Sequence, residues 1–159
     1  MNQSPEPGFD ALGGPLPGFL FVDHVAIAVP RGNLDRQVAA YQSLGFEVVH
    51  CEDVAGKDRV REVLLRIGDS PSLIQLIEPL DDQSTVQRAI DRNGGKGGLH
   101  HLGFRVTDVH AAFRHLRERG FRLLDESPRP GSRGTTVFFV HPKSPADSPL
   151  DVLIEVVQE

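Results

Sequence analysis

The sequence predicts an α+β fold in which two tandem βαβββ modules build one cup-shaped mixed sheet. Two observations support this fold class. The same series of motifs occurs twice along the 159-residue chain, and in each copy the hydrophobic pattern changes from a period of two to a period of 3.6 and back. A duplicated module of this kind fits the length of one ordinary domain. We therefore expect a single domain over residues 19–159, with modules at 19–80 and 98–159.

The two copies align through their first strands, their glycines and their last strands. Three pairs of equivalent positions have nearly constant offsets, namely 77 for His24 and His101, 75 for Gly45 and Gly120, and 80 for residues 72–77 and 152–157. Near-constant offsets over most of the chain are the signature of an internal repeat. The repeat predicts that side chains at equivalent positions lie close to one pseudo-twofold axis.

The first module is expected to begin with a strand that carries His24. Val25 and Ile27 alternate with the small residue Ala26, so the bulky side chains should face the helix and His24 should point into the concave face, or cup. A helix follows, with the apolar stripe Leu34, Val38 and Tyr41. Gly45 is placed to end that helix. Three strands are then predicted, at about 46–51, 60–67 and 72–78.

A short linker helix is predicted over residues 84–93, because Ser84 to Gln87 forms a capping-box pattern and residues 93–98 are rich in glycine. The second module repeats the plan of the first. His101 should face the cup, and Asp108 should cap a helix with the stripe Val109, Ala112, Phe113 and Leu116. Its three strands are predicted at about 121–126, 135–141 and 151–157. Residues 1–18 are rich in proline and glycine and are expected to form a flexible tail.

Composition excludes several classes of function. Lys and Arg number 17 against 22 Asp and Glu, which gives a net charge of −5 and argues against a nucleic-acid or anionic-membrane partner. The chain has no apolar run of about 20 residues that could span a bilayer. Cys51 is the only cysteine, so a disulfide within the chain is excluded and a cytoplasmic location is expected. Any metal site must use histidines and carboxylates.

Two polar residues interrupt otherwise apolar strands. Gln75 and Glu155 stand in the middle of the last strand of each module, and a buried carboxylate needs a cation or a hydrogen-bonding network. The repeat places them near His24 and His101, which would form a set of two imidazoles and two oxygens. Such a set suits divalent Co, Mn, Ni, Fe or Zn and leaves two octahedral positions open. Taken singly, a histidine or a glutamine in a strand is more often a hydrogen-bonded core residue than a metal ligand, and the recurrence at equivalent positions favours the metal site.

Glu62 is the other residue that breaks an apolar pattern. It shares a strand face with Val60 and Leu64, so it should project into the cup if Val63 packs on the helix. A cross-strand ion pair explains the spacing equally well, and the predicted metal site favours the functional interpretation. Four other histidines are assigned no role: His110 and His115, which lie off the helix stripe, and His50 and His100, which are interpreted as structural.

Several of these motifs together resemble the methylmalonyl-CoA epimerases of the vicinal-oxygen-chelate superfamily, from about Val22 to Val157. They are Asp23-His24-Val25-Ala26, Gln75-Leu76-Ile77-Glu78-Pro79-Leu80, Asp82-Gln83-Ser84-Thr85-Val86, Gly98-Leu99-His100-His101, Leu116-Arg117-Glu118-Arg119-Gly120 and His141-Pro142-Lys143-Ser144. The resemblance implies paired βαβββ modules, a homodimer and a divalent metal, often cobalt or manganese. It places that metal on His24, Gln75, His101 and Glu155, with Glu62 as a catalytic residue. The chain departs from the family at Asp58-Arg59 and in a longer segment 145–151.

The resemblance implies a metal-dependent epimerase that interconverts (2R)- and (2S)-methylmalonyl-CoA, an acyl-CoA thioester. The C2 proton would leave from one face and return to the other through a metal-stabilised enolate. Glu62 would act on the first face and Glu155 on the second. Lys143 and Ser144 would contact the thioester or the phosphopantetheine arm.

Three alternatives remain open from the sequence. His24, His101 and Glu155 alone would make the two-histidine, one-carboxylate site of a ring-cleaving Fe(II) dioxygenase, although that reaction requires neither Gln75 nor Glu62. A glyoxalase-type isomerase is closer in chemistry, but bacterial-type members generally carry glutamate at the position of Gln75. A metal-free binding module is the non-enzyme alternative.

Overall fold

A computed structural model describes residues 15–159 of the chain. Most of the predicted tail, residues 1–14, lies outside the described residues. Of the remainder, Leu16 packs against the core of the second module, and the backbone N–H of Thr107 donates to the carbonyl of Gly18. Among residues 15–159, no helix is long and apolar enough to cross a membrane.

The described part of the chain forms eight strands, three α-helices and one short 3₁₀-helix. In chain order they are β1 Phe19–Ala28, α1 Leu34–Ser43, β2 Glu47–Val54, β3 Val60–Arg66, β4 Leu73–Pro79, α2 Thr85–Arg92, β5 Gly98–Val106, α3 Val109–Glu118, β6 Arg129–Pro130, the 3₁₀-helix Ser132–Gly134, β7 Thr136–Val140 and β8 Leu153–Gln158. All strands join one mixed sheet in the order β2-β3-β4-β1-β5-β8-β7-β6. The predicted fold class of paired βαβββ modules is confirmed.

The two modules meet at the centre of the sheet, where β1 pairs antiparallel with β5. Each of these first strands is flanked by the last strand of its own module in parallel, β4 beside β1 and β8 beside β5. The register sets His24 opposite Gly103 and Ala26 opposite His101. This pairing places the equivalent histidines of the two modules side by side on neighbouring strands.

Hydrophobic side chains pack on the helix side of the sheet, as the strand parity predicts, and α2 adds a smaller apolar cluster on the opposite face. On the helix side of the first module, Val29, Leu34 and Leu76 belong to one buried cluster. On the opposite face, Ala26 and Ala28 pack with side chains of α2, so the linker helix covers part of the cup. Ser84 caps α2 by accepting a hydrogen bond from the backbone N–H of Val86, which agrees with the predicted capping pattern.

The second module differs from the prediction at its edge. The strand predicted at 121–126 is wrong, because Leu123 makes only an isolated bridge to Val140 and the next paired residues are the two of β6. Asp125 uses a side-chain oxygen to accept the backbone N–H of Phe139, which replaces a ladder hydrogen bond. Pro128 and Pro130 then lack the N–H donors that a longer strand would need.

Candidate metal and acid–base site

Three of the predicted ligands converge on one point in the cup. Glu155 Oε2 lies 3.1 Å from His24 Nε2 and 2.9 Å from His101 Nε2, and the two Nε2 atoms are 3.0 Å apart. His24 and His101 are buried on β1 and β5, and Glu155 comes from the adjacent β8. One atom from each residue therefore lies within reach of a single ion.

Gly103 makes room for this arrangement. It lies directly opposite His24 in the sheet, and a Cβ added at this position would overlap the imidazole ring of His24. Only glycine leaves this space free. The equivalent position in the first module is Ala26, which lies opposite His101 and carries a side chain without conflict.

A bulge precedes each of the two histidines. The pairing of β1 with β5 skips Asp23 on one strand and His100 on the other. Because an extra residue reverses the normal alternation, each bulged side chain comes to the same face as the histidine that follows it. Asp23 Oδ2 lies 2.7 Å from His24 Nδ1, and the Nδ1 atoms of His100 and His101 are 2.8 Å apart. Both Nδ1 atoms are thus engaged, and both Nε2 atoms face Glu155.

The surroundings of His24 are strongly polar. Burial lowers its pKa, but the hydrogen bonds to Asp23 and Glu155 outweigh that effect and raise the pKa to about 9. Asp23 is itself buried and paired with two arginines, at 2.6 Å from Arg105 and 2.7 Å from Arg133. Burial alone would raise the pKa of Asp23, yet its hydrogen bond with His24 and the charge of Arg133 hold it well below its ordinary range.

The surroundings of His101 favour neutral imidazoles. Burial lowers the pKa of His101, and burial with the neighbouring charge of His101 lowers the pKa of His100 to about 3. Burial would raise the pKa of Glu155, but the hydrogen bonds from His101 and His24 outweigh it and lower the pKa. Glu155 is therefore an anion, and a neutral imidazole beside an anionic carboxylate is the form in which these groups bind metals.

Gln75 and Glu62 lie on neighbouring strands of the first module. Gln75 Nε2 donates to Glu62 Oε2 at 2.8 Å. The other oxygen of each side chain, Gln75 Oε1 and Glu62 Oε1, is buried and finds no hydrogen-bond partner among the described residues. Burial raises the pKa of Glu62, and the Ser132 and Gln75 side chains and the charge of Arg133 offset only part of this increase. The site thus combines an unused amide oxygen with a carboxylate of increased basicity.

These donors suit a divalent cation. The cluster supplies two imidazole nitrogens and one carboxylate oxygen, and Gln75 Oε1, from the same cavity, is a fourth oxygen that has no hydrogen-bond partner among residues 15–159. A buried amide oxygen without a partner is unfavourable unless it meets a cation or a donor. Two imidazoles and two oxygens form the ligand class of divalent first-row metals.

The cluster opens into a cavity of about 850 Å³. Its lining includes Glu62, Gln75, His101 and Glu155, whereas His24 is not part of the lining. The lining also includes three cations, Lys57, Arg92 and Arg129, together with carboxylates such as those of Asp53, Asp58 and Asp125. The volume lies within the range that holds a small-molecule ligand.

Lys143 and Ser144 do not reach this cavity. Ser144 is buried, and its Oγ accepts the backbone N–H of Arg122 at 2.7 Å. Neighbouring His141 and Pro142 do line the cavity, and the backbone N–H of Lys143 donates to His141 Nδ1. The structure therefore brings His24, Gln75, His101, Glu155 and Glu62 together and leaves these two residues beside the site.

Sequence reasoning missed three residues that surround the ligands. Asp23 and His100 each contact a ligand histidine, and Arg133 contacts Asp23 from the other module. The proximity of Asp23 to His24 in the sequence was a signal for the first of these contacts. The strand alternation gave the opposite face for Asp23 and His100, because a bulge cannot be deduced from the pattern of residues alone.

Comparisons with known proteins identify the family of the chain. The family model described as "Glyoxalase/Bleomycin resistance protein/Dioxygenase superfamily" matches residues 23–139. The chain is 35% identical over 124 residues to the ethylmalonyl-CoA/methylmalonyl-CoA epimerase of Cereibacter sphaeroides, which covers 77% of this chain and 88% of that protein. It is 31% identical to the mitochondrial methylmalonyl-CoA epimerase of Dictyostelium discoideum, with 77% and 71% covered.

Solved structures give the same result. The crystal structure of methylmalonyl-CoA epimerase from Mycobacterium tuberculosis has a TM-score of 0.79 and 35% identity, and the match covers 93% of this chain and 94% of that one. A methylmalonyl-CoA epimerase in complex with methylmalonyl-CoA and NH4+ has a TM-score of 0.77 and 37% identity, with 89% and 95% covered. The chain therefore belongs to the glyoxalase/bleomycin resistance protein/dioxygenase superfamily and, within it, to the methylmalonyl-CoA epimerase family.

Proposed function

We propose that the protein is an isomerase that interconverts (2R)- and (2S)-methylmalonyl-CoA by removing and returning the proton at C2. The observation that carries the proposal is the placement of Glu62, a buried carboxylate of raised pKa, in the same cavity as the ligand cluster. Relatives of 31% to 35% identity are named as epimerases of this substrate. A base beside a cation site is the arrangement that abstraction of a weakly acidic α-proton requires.

Glu62 is the proposed base for the first face of the substrate. Its Oε2 is held by the amide of Gln75, while Oε1 has no hydrogen-bond partner in the described structure. Oε1 is therefore the atom to which we assign the C2 proton. Burial makes this carboxylate more basic than an exposed glutamate, which brings its pKa closer to the operating range of a general base.

Glu155 is the proposed proton carrier for the second face. It lines the cavity on β8, in the module opposite Glu62. Its Oε2 accepts from both ligand histidines, and the resulting low pKa makes it the weaker base of the two. Two carboxylates of different basicity, one from each module, would serve the two faces of C2.

His24, Gln75, His101 and Glu155 are the residues that would hold the metal ion. When bound, a divalent ion would supply Lewis-acid stabilisation of the negative charge that develops on the thioester oxygen. Imidazole and oxygen donors accept several metals. We propose Co²⁺ or Mn²⁺ first, with Zn²⁺, Ni²⁺ or Fe²⁺ as substitutes.

The cations of the cavity lining are suited to the anionic part of an acyl-CoA. Lys57 and Arg92 line the cavity together with Arg129, whose Nε is paired with Asp125 Oδ1 at 2.8 Å. Phosphate groups attract such side chains. Contacts of Lys143 and Ser144 with the thioester arm remain a prediction from the resemblance.

The direct test follows C2 exchange in heavy water together with metal analysis of the purified protein. We expect deuterium at C2 in both epimers, with bound metal close to one ion per chain. Glu62→Gln should lower turnover by about 10²- to 10⁴-fold while metal content stays unchanged. Glu47→Gln is the matched control, because Glu47 is exposed at the start of β2, outside the cavity lining. Near-normal turnover of Glu62→Gln would remove Glu62 from the mechanism.

Assays with other substrates, run beside the exchange experiment, distinguish the epimerase from the three alternative functions. Oxygen consumption with a catechol, without C2 exchange, would instead indicate a dioxygenase built on His24, His101 and Glu155. Exchange with a hemithioacetal alone would indicate a glyoxalase-type isomerase. Ligand binding without metal and without exchange would indicate a binding module.

A homodimer and a cytoplasmic location complete the proposal. Exposed apolar side chains near the β2 edge of the sheet, Leu44, Val48, Val49 and Ile67, offer a surface for a second copy. Sedimentation equilibrium would measure the mass in solution, and cell fractionation would locate the protein. A monomer at micromolar concentration would contradict the homodimer.

A further inference from the structure

One arginine of the second module reaches across to the first. Arg133 lies in the short 3₁₀-helix between β6 and β7, with φ of 57° and ψ of 23°. This left-handed conformation is uncommon for a residue with a side chain, and it persists only where the surrounding contacts hold it. In this conformation the arginine side chain is directed toward β1, where it meets Asp23.

Arg133 makes two contacts with the first module. Its Nη2 donates to Asp23 Oδ2 at 2.7 Å, and its backbone N–H donates to Glu52 Oε2 at 3.4 Å. The side chain is largely enclosed, with 20% of its surface exposed. The pair with Asp23, which is 1% exposed, is therefore shielded from solvent, unlike the exposed ion pairs on the surface of the protein.

Asp23 transmits this contact to His24. The same oxygen, Oδ2, that accepts from Arg133 also accepts the Nδ1–H of His24, while the other oxygen, Oδ1, accepts from Nε and Nη2 of Arg105. Arg133 holds Oδ2 and Arg105 holds Oδ1 from different directions, which restricts rotation of the carboxylate more than either arginine would alone. A fixed carboxylate defines the plane of the His24 ring and holds a proton on Nδ1, so Nε2 is the nitrogen that would give up its proton to bind a metal.

We propose that Arg133 is a positioning residue of the metal centre, which holds Asp23 so that His24 Nε2 faces the ion. This role rests on the proposed metal site. It makes the contact between Arg133 and Asp23, which joins the two modules, a determinant of the affinity of that site for metal. Arg133 belongs neither to the ligand cluster nor to the cavity lining, so its effect on the position of His24 passes through Asp23.

The charge of Arg133 and its positioning role have opposite effects on the affinity for metal. An arginine near a cation repels it, so removal of the charge alone would make the ion bind more tightly. Loss of positioning has the opposite effect, because substitution of residues that orient a metal ligand typically weakens metal binding about 10- to 100-fold. The direction of the change in Kd therefore distinguishes the two effects.

The experiment titrates the metal-free full-length protein with Co²⁺ alone and measures Kd by calorimetry and by the visible absorption of the bound ion. We expect Arg133→Met to raise Kd about 10- to 100-fold and to alter the Co²⁺ spectrum. Arg133→Lys, which can still donate to Asp23, should recover most of the lost affinity. Arg31→Met is the matched control, since Arg31 forms an exposed pair with Asp82 away from the cavity.

Urea unfolding of each metal-free variant shows whether it is folded. An unchanged or lower Kd for folded Arg133→Met would overturn the inference, as would a Lys variant no better than the Met variant. If Arg133→Met does not fold, Arg133→Lys and Arg133→Gln are compared in its place by the same criterion. Absence of Co²⁺ binding by the unsubstituted protein would instead overturn the proposed metal site.

Discussion

The two modules share the frame of the site but differ in the residues placed on it. His24 and His101 occupy equivalent positions on β1 and β5, and Gln75 and Glu155 occupy equivalent positions on β4 and β8. Glu62 has no such counterpart. In the sheet, Gln75 lies opposite Leu64, and the equivalent Glu155 lies opposite Phe139. Glu62 stands two residues before Leu64, so its equivalent is the residue two before Phe139, which is Val137.

This difference separates two requirements of the proposed reaction. Metal binding can use symmetry, because four donors around one ion are supplied by two copies of the same pattern. Epimerisation needs a proton acceptor on one face of C2 and a proton donor on the other. Because valine stands at the equivalent position of the second module, only the first module supplies a buried carboxylate there, that of Glu62. The site therefore has one carboxylate of raised pKa, Glu62, and one carboxylate of lowered pKa that faces the proposed metal, Glu155.

The largest expected effect comes from the positions opposite the two histidines. Gly103→Ala should weaken Co²⁺ binding by more than about 100-fold because the added Cβ overlaps the His24 ring. Ala26→Gly is the reverse substitution at the equivalent position, opposite His101. It should leave the Kd for Co²⁺ nearly unchanged, and it should lower the free energy of unfolding by about 1 kcal/mol. Calorimetric titration and urea unfolding measure both quantities. Equal metal affinities in the two variants would show that the two modules tolerate change alike at this position.

The partners of the two ligand histidines give the next effect. Asp23→Asn should weaken metal binding about 10- to 100-fold, since the substituted amide cannot serve as an anionic acceptor for both His24 and Arg133. His100→Ala removes a neutral partner of His101, so we expect a smaller loss. Titration with Co²⁺ ranks the two variants. A larger loss for His100→Ala would reverse the proposed order of importance.

The sequence predicted that the side chains of the proposed ligands lie in the cup, because each belongs to a stretch of strand in which the alternation is regular. Gln75 and Glu62 lie in strands whose parity is regular, and their placement in the cup follows from it. Asp23 and His100 could not be placed in this way, because each is the extra residue of a bulge. The contact of Arg133 with Asp23 is harder still to predict from the sequence, since it depends on the left-handed conformation of Arg133 in a turn between strands.

The edge of the second module was also beyond prediction. The apolar run after Gly120 has the composition of a strand, yet Asp125 takes the backbone donor of Phe139 and Pro128 and Pro130 interrupt the ladder. Side-chain competition for backbone hydrogen bonds depends on which strand is the neighbour. That information is present in the folded sheet and not in the local pattern.

The smallest expected effect concerns the two helices that cover the sheet. Asp108 caps α3 by accepting the backbone N–H groups of His110 and Ala111, whereas Asn33 at the start of α1 makes no side-chain capping bond. Asp108→Ala should therefore lower the free energy of unfolding, and Asn33→Ala should leave it nearly unchanged. The hydrogen bond from Ala111 chiefly holds the pKa of Asp108 below its ordinary value.

The capping difference should depend on pH with a definite sign. A carboxyl whose pKa is lower in the folded state than in the unfolded state contributes stability above its unfolded pKa, and the contribution is lost as pH falls through the folded pKa. Urea unfolding of the Asp108→Ala variant should thus differ from that of the unsubstituted protein at neutral pH and approach it in acid below the folded pKa of Asp108. A difference that persisted unchanged in acid would assign the effect to packing of α3 and not to the charged cap.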